Sequence, residues 1–147
     1  NNNKKITITD PTMTRFSITM NQALDFILKA TQKGHGAEVF IPKLKAYSLQ
    51  QIHDILSNLT NAKDHEIIGM RTGEKQHELL INSDEMRDAW SYDNMFVLLN
   101  DLHESENLEE VYPGIKKIED LDVYSSAKTQ QLSTEEITEN IKDLQLL

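Results

Sequence analysis

The sequence predicts an α/β protein. Short runs rich in β-branched and apolar residues stand at 6–9, 13–18, 37–42 and 66–70, and between them two segments, 19–31 and 48–59, repeat their apolar residues three and four apart. Strands alternating with helices of this length are the pattern of α/β folds. The 147 residues suffice for one domain with a real core, and 38% hydrophobic with 27% charged residues describe a globular chain rather than a disordered one.

Composition also excludes several functions. A formal net charge of −9 argues against nucleic acid as the main partner, because a phosphate backbone needs a basic surface, yet a few placed cations can still hold a small phosphorylated ligand. The chain has no cysteine, hence no disulfide and no thiolate chemistry, which fits a reducing, cytoplasmic setting. No apolar run approaches the roughly 20 residues of a membrane span, and the polar start from Asn1 to Lys5 has no apolar signal region behind it. The five histidines are scattered, with no pair at ligand spacing on a predicted element, so no metal site is expected. A strand so close to a start without Met suggests that the chain begins inside a longer protein.

The elements follow in order. Ile6-Thr7-Ile8-Thr9 alternates as a short strand and Asp10-Pro11 ends it. Met13 to Ile18 is again strand-like, with Arg15 among apolar neighbours, either snorkelling from a strand edge or pointing into a cleft as a phosphate ligand. Thr19 is placed to cap a helix whose Met20, Leu24, Ile27, Leu28 and Thr31 form one apolar face, and Gly34-His35-Gly36 stops it. Ala37 to Pro42 reads as a strand buried on both faces, as in a parallel sheet, so this helix and strand form half of a β-α-β repeat.

Ser48 is placed to cap a second helix with Leu49, Ile52, Leu56 and Leu59 as its buried stripe, Ile55 beside it and His53 at its boundary. Glu66 to Met70 is a strand, Glu78 to Ile81 a strand or single turn, and Ser83 to Met86 a capped turn. Met95 to Leu99 is an apolar run of strand length whose type periodicity leaves open. From 101 to 122 the chain turns acidic around Pro113-Gly114, which reads as a solvated excursion. Ser133-Thr134-Glu135-Glu136 is a capping box, opening a last helix with the stripe Ile137, Ile141 and Leu144.

The stretch richest in chemistry is Ile67 to Glu78. An apolar run ends at Gly69, and a loop then presents Arg71, Glu74 and Lys75 around Gly73. A guanidinium offers a planar fork of donors to phosphate oxygens, a lysine adds a point charge, and a carboxylate can accept from a diol. Glycine and charge in a loop are, taken alone, more usually the mark of a solvated turn.

Other motifs fail on context. Tyr112 to Lys116 and Tyr124 to Lys128 have the Tyr-x-x-x-Lys spacing of a catalytic pair, but Pro113 and Gly114 break the helix the first needs, and the second lies upstream of a capped helix. Gly34-His35-Gly36 lacks the third glycine of a dinucleotide fingerprint and precedes a strand instead of following one. Gly69 to Lys75 is one residue short of a P-loop and has no Ser or Thr after the lysine.

Three ordered motifs carry a resemblance. Thr9-Asp10-Pro11-Thr12-Met13-Thr14-Arg15-Phe16, then Glu38-Val39-Phe40-Ile41-Pro42-Lys43, then Ile68 to Glu78 resemble the C-terminal part of bacterial polysaccharide-biosynthesis UDP-sugar dehydratases. These are extended short-chain dehydrogenase/reductases acting as UDP-N-acetylglucosamine 4,6-dehydratases, many of them inverting at C5. Tyr124-Ser125-Ser126 and Gln131 to Glu136 are similar to the tail of the capsule-type branch.

The resemblance implies that Arg15 and Arg71 hold the nucleotide diphosphate and that Glu74 accepts from the ribose hydroxyls. Met13, Thr14, Gly73, Lys75 and His77 would support them; His77 and Glu78 fit the motif without a chemical role. Thr72 stands where the family usually has proline, which leaves the loop less rigid. The chain would be the C-terminal fragment of an extended short-chain dehydrogenase/reductase. Residues 1–47 would end the Rossmann domain and carry the diphosphate contacts, and 48–147 would form the UDP-sugar domain with its terminal helix.

The family's cofactor loop, its catalytic Tyr and Lys and its dehydration acid and base lie upstream of the matched motifs. The resemblance therefore implies no catalytic residue here, NAD(P) only in the complete enzyme, and no activity for this chain alone. The expected partners are a UDP-N-acetylhexosamine and either the missing Rossmann half or a second copy, because a strand as apolar as Ala37 to Pro42 would otherwise leave an unpaired edge. Two other readings stay open: a non-catalytic UDP-sugar-binding module, and a remnant that serves association alone. Clustered cations beside an acid favour a working pocket over the remnant.

Overall fold

A computed structural model describes residues 6–60, 65–99 and 107–143. In chain order the elements are β1 (Ile6–Ile8), β2 (Thr14–Phe16), α1 (Met20–Lys33), β3 (Val39–Pro42), β4 (Ala46–Ser48), α2 (Leu49–Thr60), β5 (His65–Ile67) and β6 (Leu79–Ile81). Then come α3 (Ser83–Met86), β7 (Ala89–Tyr92), β8 (Met95–Leu98), α4 (Leu108–Val111), β9 (Lys116–Lys117), β10 (Tyr124–Ser125) and α5 (Thr134–Asp143). The fold is α/β, as expected.

Contacts group these elements into two units that interleave in sequence. One takes the chain up to Ser17, Lys45–Glu78 and the chain from Ser126 on; the other takes Ile18–Leu44 and Leu79–Ser125.

In the first unit β1 pairs in parallel with β5, and β2 pairs antiparallel with β4. The Ser48 and Gln51 side chains satisfy each other's backbone amides at the start of α2, at 3.2 and 2.8 Å, and Ser133 and Glu136 do the same for α5 at 3.2 and 2.9 Å. At Ser133 this is the capping box that the sequence predicts; at Ser48 the sequence predicts the cap, and the structure adds its reciprocal partner Gln51. The core joins Ile55, Leu132 and Ile137, with Tyr47, Ile52 and Ile141 packed against it. The α2 stripe is rotated from the expected one: His53 and Ile55 are buried and Leu59 is 40% exposed. His53 is accommodated there because Asp54 and Ser57 bond its two ring nitrogens at 3.0 and 3.1 Å. Leu144 of the expected α5 stripe lies outside the described residues.

In the second unit four strands form an antiparallel sheet in the order β3, β8, β7, β9, and β10 pairs with β6. Here the expectation of a doubly buried, parallel strand at 37–42 is corrected. β3 pairs antiparallel with β8 at a sheet edge, only its Ile41 is buried, and Val39 is 53% exposed. An apolar run reports that a strand is sticky, not which neighbour it finds; among the described strands it is β1 and β5 that pair in parallel.

The acidic 101–122 stretch is also corrected in part. Its described portion supplies Tyr112 and Ile115 to a core with Tyr92, Met95, Val97 and Leu99. Tyr112 is fully buried and its hydroxyl donates to Glu38. Thr19 caps α1 in a capping box with Gln22, and Phe26 packs on the same core, yet α1 buries no residue fully. Its apolar face, Met20, Leu24, Ile27 and Leu28, is 52 to 75% exposed.

Candidate functional site

The cations expected to matter lie in the first unit, where β2 meets the segment following the 69–75 loop. One edge of β2 is satisfied by β4, with Arg15 opposite Tyr47. The other edge is covered by chain at 76–78. Thr14 N–H donates to the Gln76 carbonyl at 3.0 Å, and Phe16 N–H donates to Glu78 Oε2 at 2.8 Å, so a carboxylate takes the ladder position of a strand carbonyl.

Arg15 is held by this seam. Its Nη1 donates to the Thr14 carbonyl at 2.7 Å and the Gln76 carbonyl at 3.3 Å, and its Nε stands 3.9 Å from Glu78 Oε1. Among the described residues Nη2 meets only the Met13 sulfur, at 4.0 Å, which leaves the outer donors of the fork for a stronger acceptor. With its side chain 24% exposed, the guanidinium is neither buried nor waving in solvent.

A hydroxyl cluster locks the seam. Thr14 Oγ1 lies 2.8 Å from His77 Nδ1 and 2.7 Å from Ser126 Oγ. Ser126 Oγ accepts from Glu78 N–H at 2.8 Å and donates to the Thr14 carbonyl at 3.1 Å, and Ser126 N–H donates to the Glu78 carbonyl at 2.9 Å. His77 and Glu78, the motif residues without an expected role, therefore fasten the loop exit to β2. Nearby, burial first, then the Glu78 charge, pushes the Tyr47 hydroxyl above its usual pKa, with Arg15 opposing.

Arg71 and Glu74 form a separate group on the loop. Glu74 N–H donates to the Arg71 carbonyl at 3.1 Å, closing a four-residue turn in which Gly73 takes φ +87°. A positive φ at the third position is the requirement of a type II turn, and a Cβ there would touch nothing within 4 Å, so glycine is needed for its backbone alone. Glu74 Oε2 accepts from Arg71 N–H at 3.1 Å and Oε1 lies 3.9 Å from Arg71 Nη1. The Arg71 side chain is 72% exposed, and Lys75 is exposed as well. No hydrogen bond or ion pair among the described residues links Arg15 to Arg71 or Glu74.

Of the supporting residues, Met13 and Thr14 are buried and His77 is half-buried. Ser126, fully buried, is the residue that reading for charge overlooks: a serine in a tail motif carries no signal of its contacts. In both Tyr-x-x-x-Lys motifs the tyrosine hydroxyl has a partner outside the motif. Tyr112 is committed to Glu38, and the Tyr124 hydroxyl accepts from Leu44 N–H at 2.6 Å. No group of three or more His, Asp or Glu among the described residues is placed to hold a metal ion, and no described helix is long and apolar enough to cross a membrane.

The chain belongs to the polysaccharide biosynthesis protein family, whose sequence profile matches residues 1–100. It is 34% identical over 143 residues to the UDP-glucose 4-epimerase of Rickettsia bellii, covering 97% of this chain and 42% of the relative. It is 32% identical over 138 residues to the UDP-N-acetylglucosamine 4,6-dehydratase (inverting) of Campylobacter jejuni, covering 90% of this chain and 40% of the relative. The X-ray structure of Pen from Bacillus thuringiensis superposes with a TM-score of 0.76 at 30% identity, over 97% of this chain and 41% of Pen. The chain thus spans about two fifths of the length of the curated relatives it matches.

Proposed function

We propose that this chain is the nucleotide-diphosphate-binding portion of an NAD(P)-dependent nucleotide-sugar 4,6-dehydratase of polysaccharide biosynthesis, with UDP-N-acetylglucosamine as substrate and inversion at C5. Arg15 and Arg71 take the two phosphates, and Glu74 accepts from the ribose diol. The observation that carries this reading is the seam at β2: a guanidinium fixed by two backbone carbonyls, with its outer donors unspent, abuts the segment that continues from the Arg71 and Glu74 turn. The names of the two relatives differ in sugar and reaction but share UDP, the part of the substrate these residues address. A cytoplasmic setting goes with this reading.

NAD(P) does not fit the described residues. The two tyrosines at Tyr-x-x-x-Lys spacing are tied to Glu38 and to the Leu44 backbone, and Gly34-His35-Gly36 caps the end of α1 before a strand. The part of this chain is to bind and orient the nucleotide. The partner is the cofactor-binding half, and the uncovered apolar face of α1 supports a further protein surface in the complete assembly. Co-expression with the cofactor-binding half of a family enzyme tests this: NAD(P)-dependent turnover of UDP-N-acetylglucosamine to a 4-keto-6-deoxy product supports the reading, 4-epimerised product favours the epimerase relatives, and no binding of UDP by the assembly refutes it.

A further inference from the structure

We infer that Ser126 is a positioning residue for this site, aiming Arg15 by clamping the loop exit onto β2; the inference rests on the UDP-binding reading. Ser126 Oγ is buried and makes three contacts: Thr14 Oγ1 at 2.7 Å, the Thr14 carbonyl at 3.1 Å and Glu78 N–H at 2.8 Å. All three belong to the two segments that hold the Arg15 guanidinium. The Thr14 carbonyl that receives the Ser126 proton is the one that receives Arg15 Nη1, and Gln76, whose carbonyl is the other anchor of Nη1, lies two residues before Glu78.

The consequence of losing the hydroxyl is specific. Alanine at 126 would bury the Glu78 amide with no acceptor, a cost met most cheaply by letting 76–78 move away from β2. Gln76 would carry its carbonyl off Arg15, and Glu78 would loosen from Phe16. Ser126 touches no ligand in this account; it acts through Thr14, Gln76 and Glu78. Because the Ser126 backbone also pairs with Glu78, the loss is a relaxed clamp, not a detached segment.

The test uses the full chain and UDP as the probe. In Ser126→Ala the dissociation constant for UDP should rise about five- to tenfold. Thr14→Val, which keeps shape and removes the hydroxyl, should act alike, and Thr14→Ser should stay within about twofold of the wild type. Amide exchange at Thr14 and Glu78 should quicken and the Arg15 Nε–H NMR signal should broaden or shift in the first two variants, with α2 and α5 amides unchanged. A folded Ser126→Ala with unaltered UDP affinity and an unaltered Arg15 signal would overturn the inference. Should Ser126→Ala fail to fold, the Thr14 pair decides it. If the wild type ignores UDP, the binding reading falls, while amide exchange and the Arg15 signal still decide whether Ser126 positions that side chain.

Discussion

Thr14 Oγ1 and Ser126 Oγ lie 2.7 Å apart although 112 residues separate them in the chain. This contact ties the tail segment to the strand that carries Arg15, and through His77 and Glu78 it ties both to the end of the charged loop. The candidate site is therefore a seam of three distant segments, and its properties follow from how firmly each side of the seam is held.

The two arginines should respond differently to removal. Arg71 is exposed and, among the described residues, bonded within its own turn, so Arg71→Ala should change the unfolding free energy by no more than about 0.5 kcal/mol. Its loss should weaken UDP binding about ten- to a hundredfold, the range for a hydrogen bond to a charged group, and raise KM for the sugar nucleotide in the assembled enzyme. Calorimetric titration with UDP, beside urea denaturation, separates the two effects; unchanged affinity would remove Arg71 from the diphosphate.

Thr72 occupies the second position of the turn closed by Glu74 N–H, the position where proline is favoured in type II turns. Its own N–H makes no hydrogen bond among the described residues, so Thr72→Pro should cost no bond. A gain of about 0.4–1 kcal/mol in stability is expected from the stiffer unfolded chain, with UDP affinity equal or better by up to about fivefold. Weaker binding would mean that the turn must open to admit the ligand.

Glu38 contributes to the acid limb of stability in the second unit. Burial pushes its carboxyl up, but hydrogen bonds from the Tyr112 hydroxyl and from the His35 and Gly36 amides outweigh that and bring it from 4.5 down to about 2. A depressed folded-state pKa contributes stability that is complete above the unfolded value near 4.5 and is lost as pH falls through about 2. Glu38→Gln should therefore lower the urea midpoint at pH 6 and flatten its fall between pH 4.5 and 2. A wild type whose stability ignores this interval would contradict the assignment.

Apolar residues in similar-looking stripes should differ sharply. Ile137 is 2% exposed and packs with Ile55 and Leu132, so Ile137→Ala should cost about 2–5 kcal/mol. Leu28 is 61% exposed on α1, and Leu28→Glu should leave the unfolding free energy of the chain alone within about 0.5 kcal/mol. Urea denaturation of both variants checks the contrast.

That contrast also marks what the sequence can convey. Caps at Thr19, Ser48 and Ser133 were legible because each is settled within four residues, and so was the turn around Gly73. Pairing was not: nothing in Val39 to Pro42 names β8 as its antiparallel partner, and nothing in an acidic stretch announces that Tyr112 sits in a core. At the site, charge made Arg15, Arg71 and Glu74 stand out, while the uncharged Thr14 and Ser126 that fix one of them are identified only by contacts across the chain. Periodicity likewise reads the apolar face of α1 but not whether anything covers it.

The central claim is that the β2 seam and the 71–74 turn together bind a nucleoside diphosphate. The most direct measurement is an amide NMR titration of the chain with UDP, followed by UDP-N-acetylglucosamine. Saturable shifts at Arg15, Gln76 and the 71–74 turn are the expected result. A dispersed spectrum in which these amides stay still while UDP is added would contradict it.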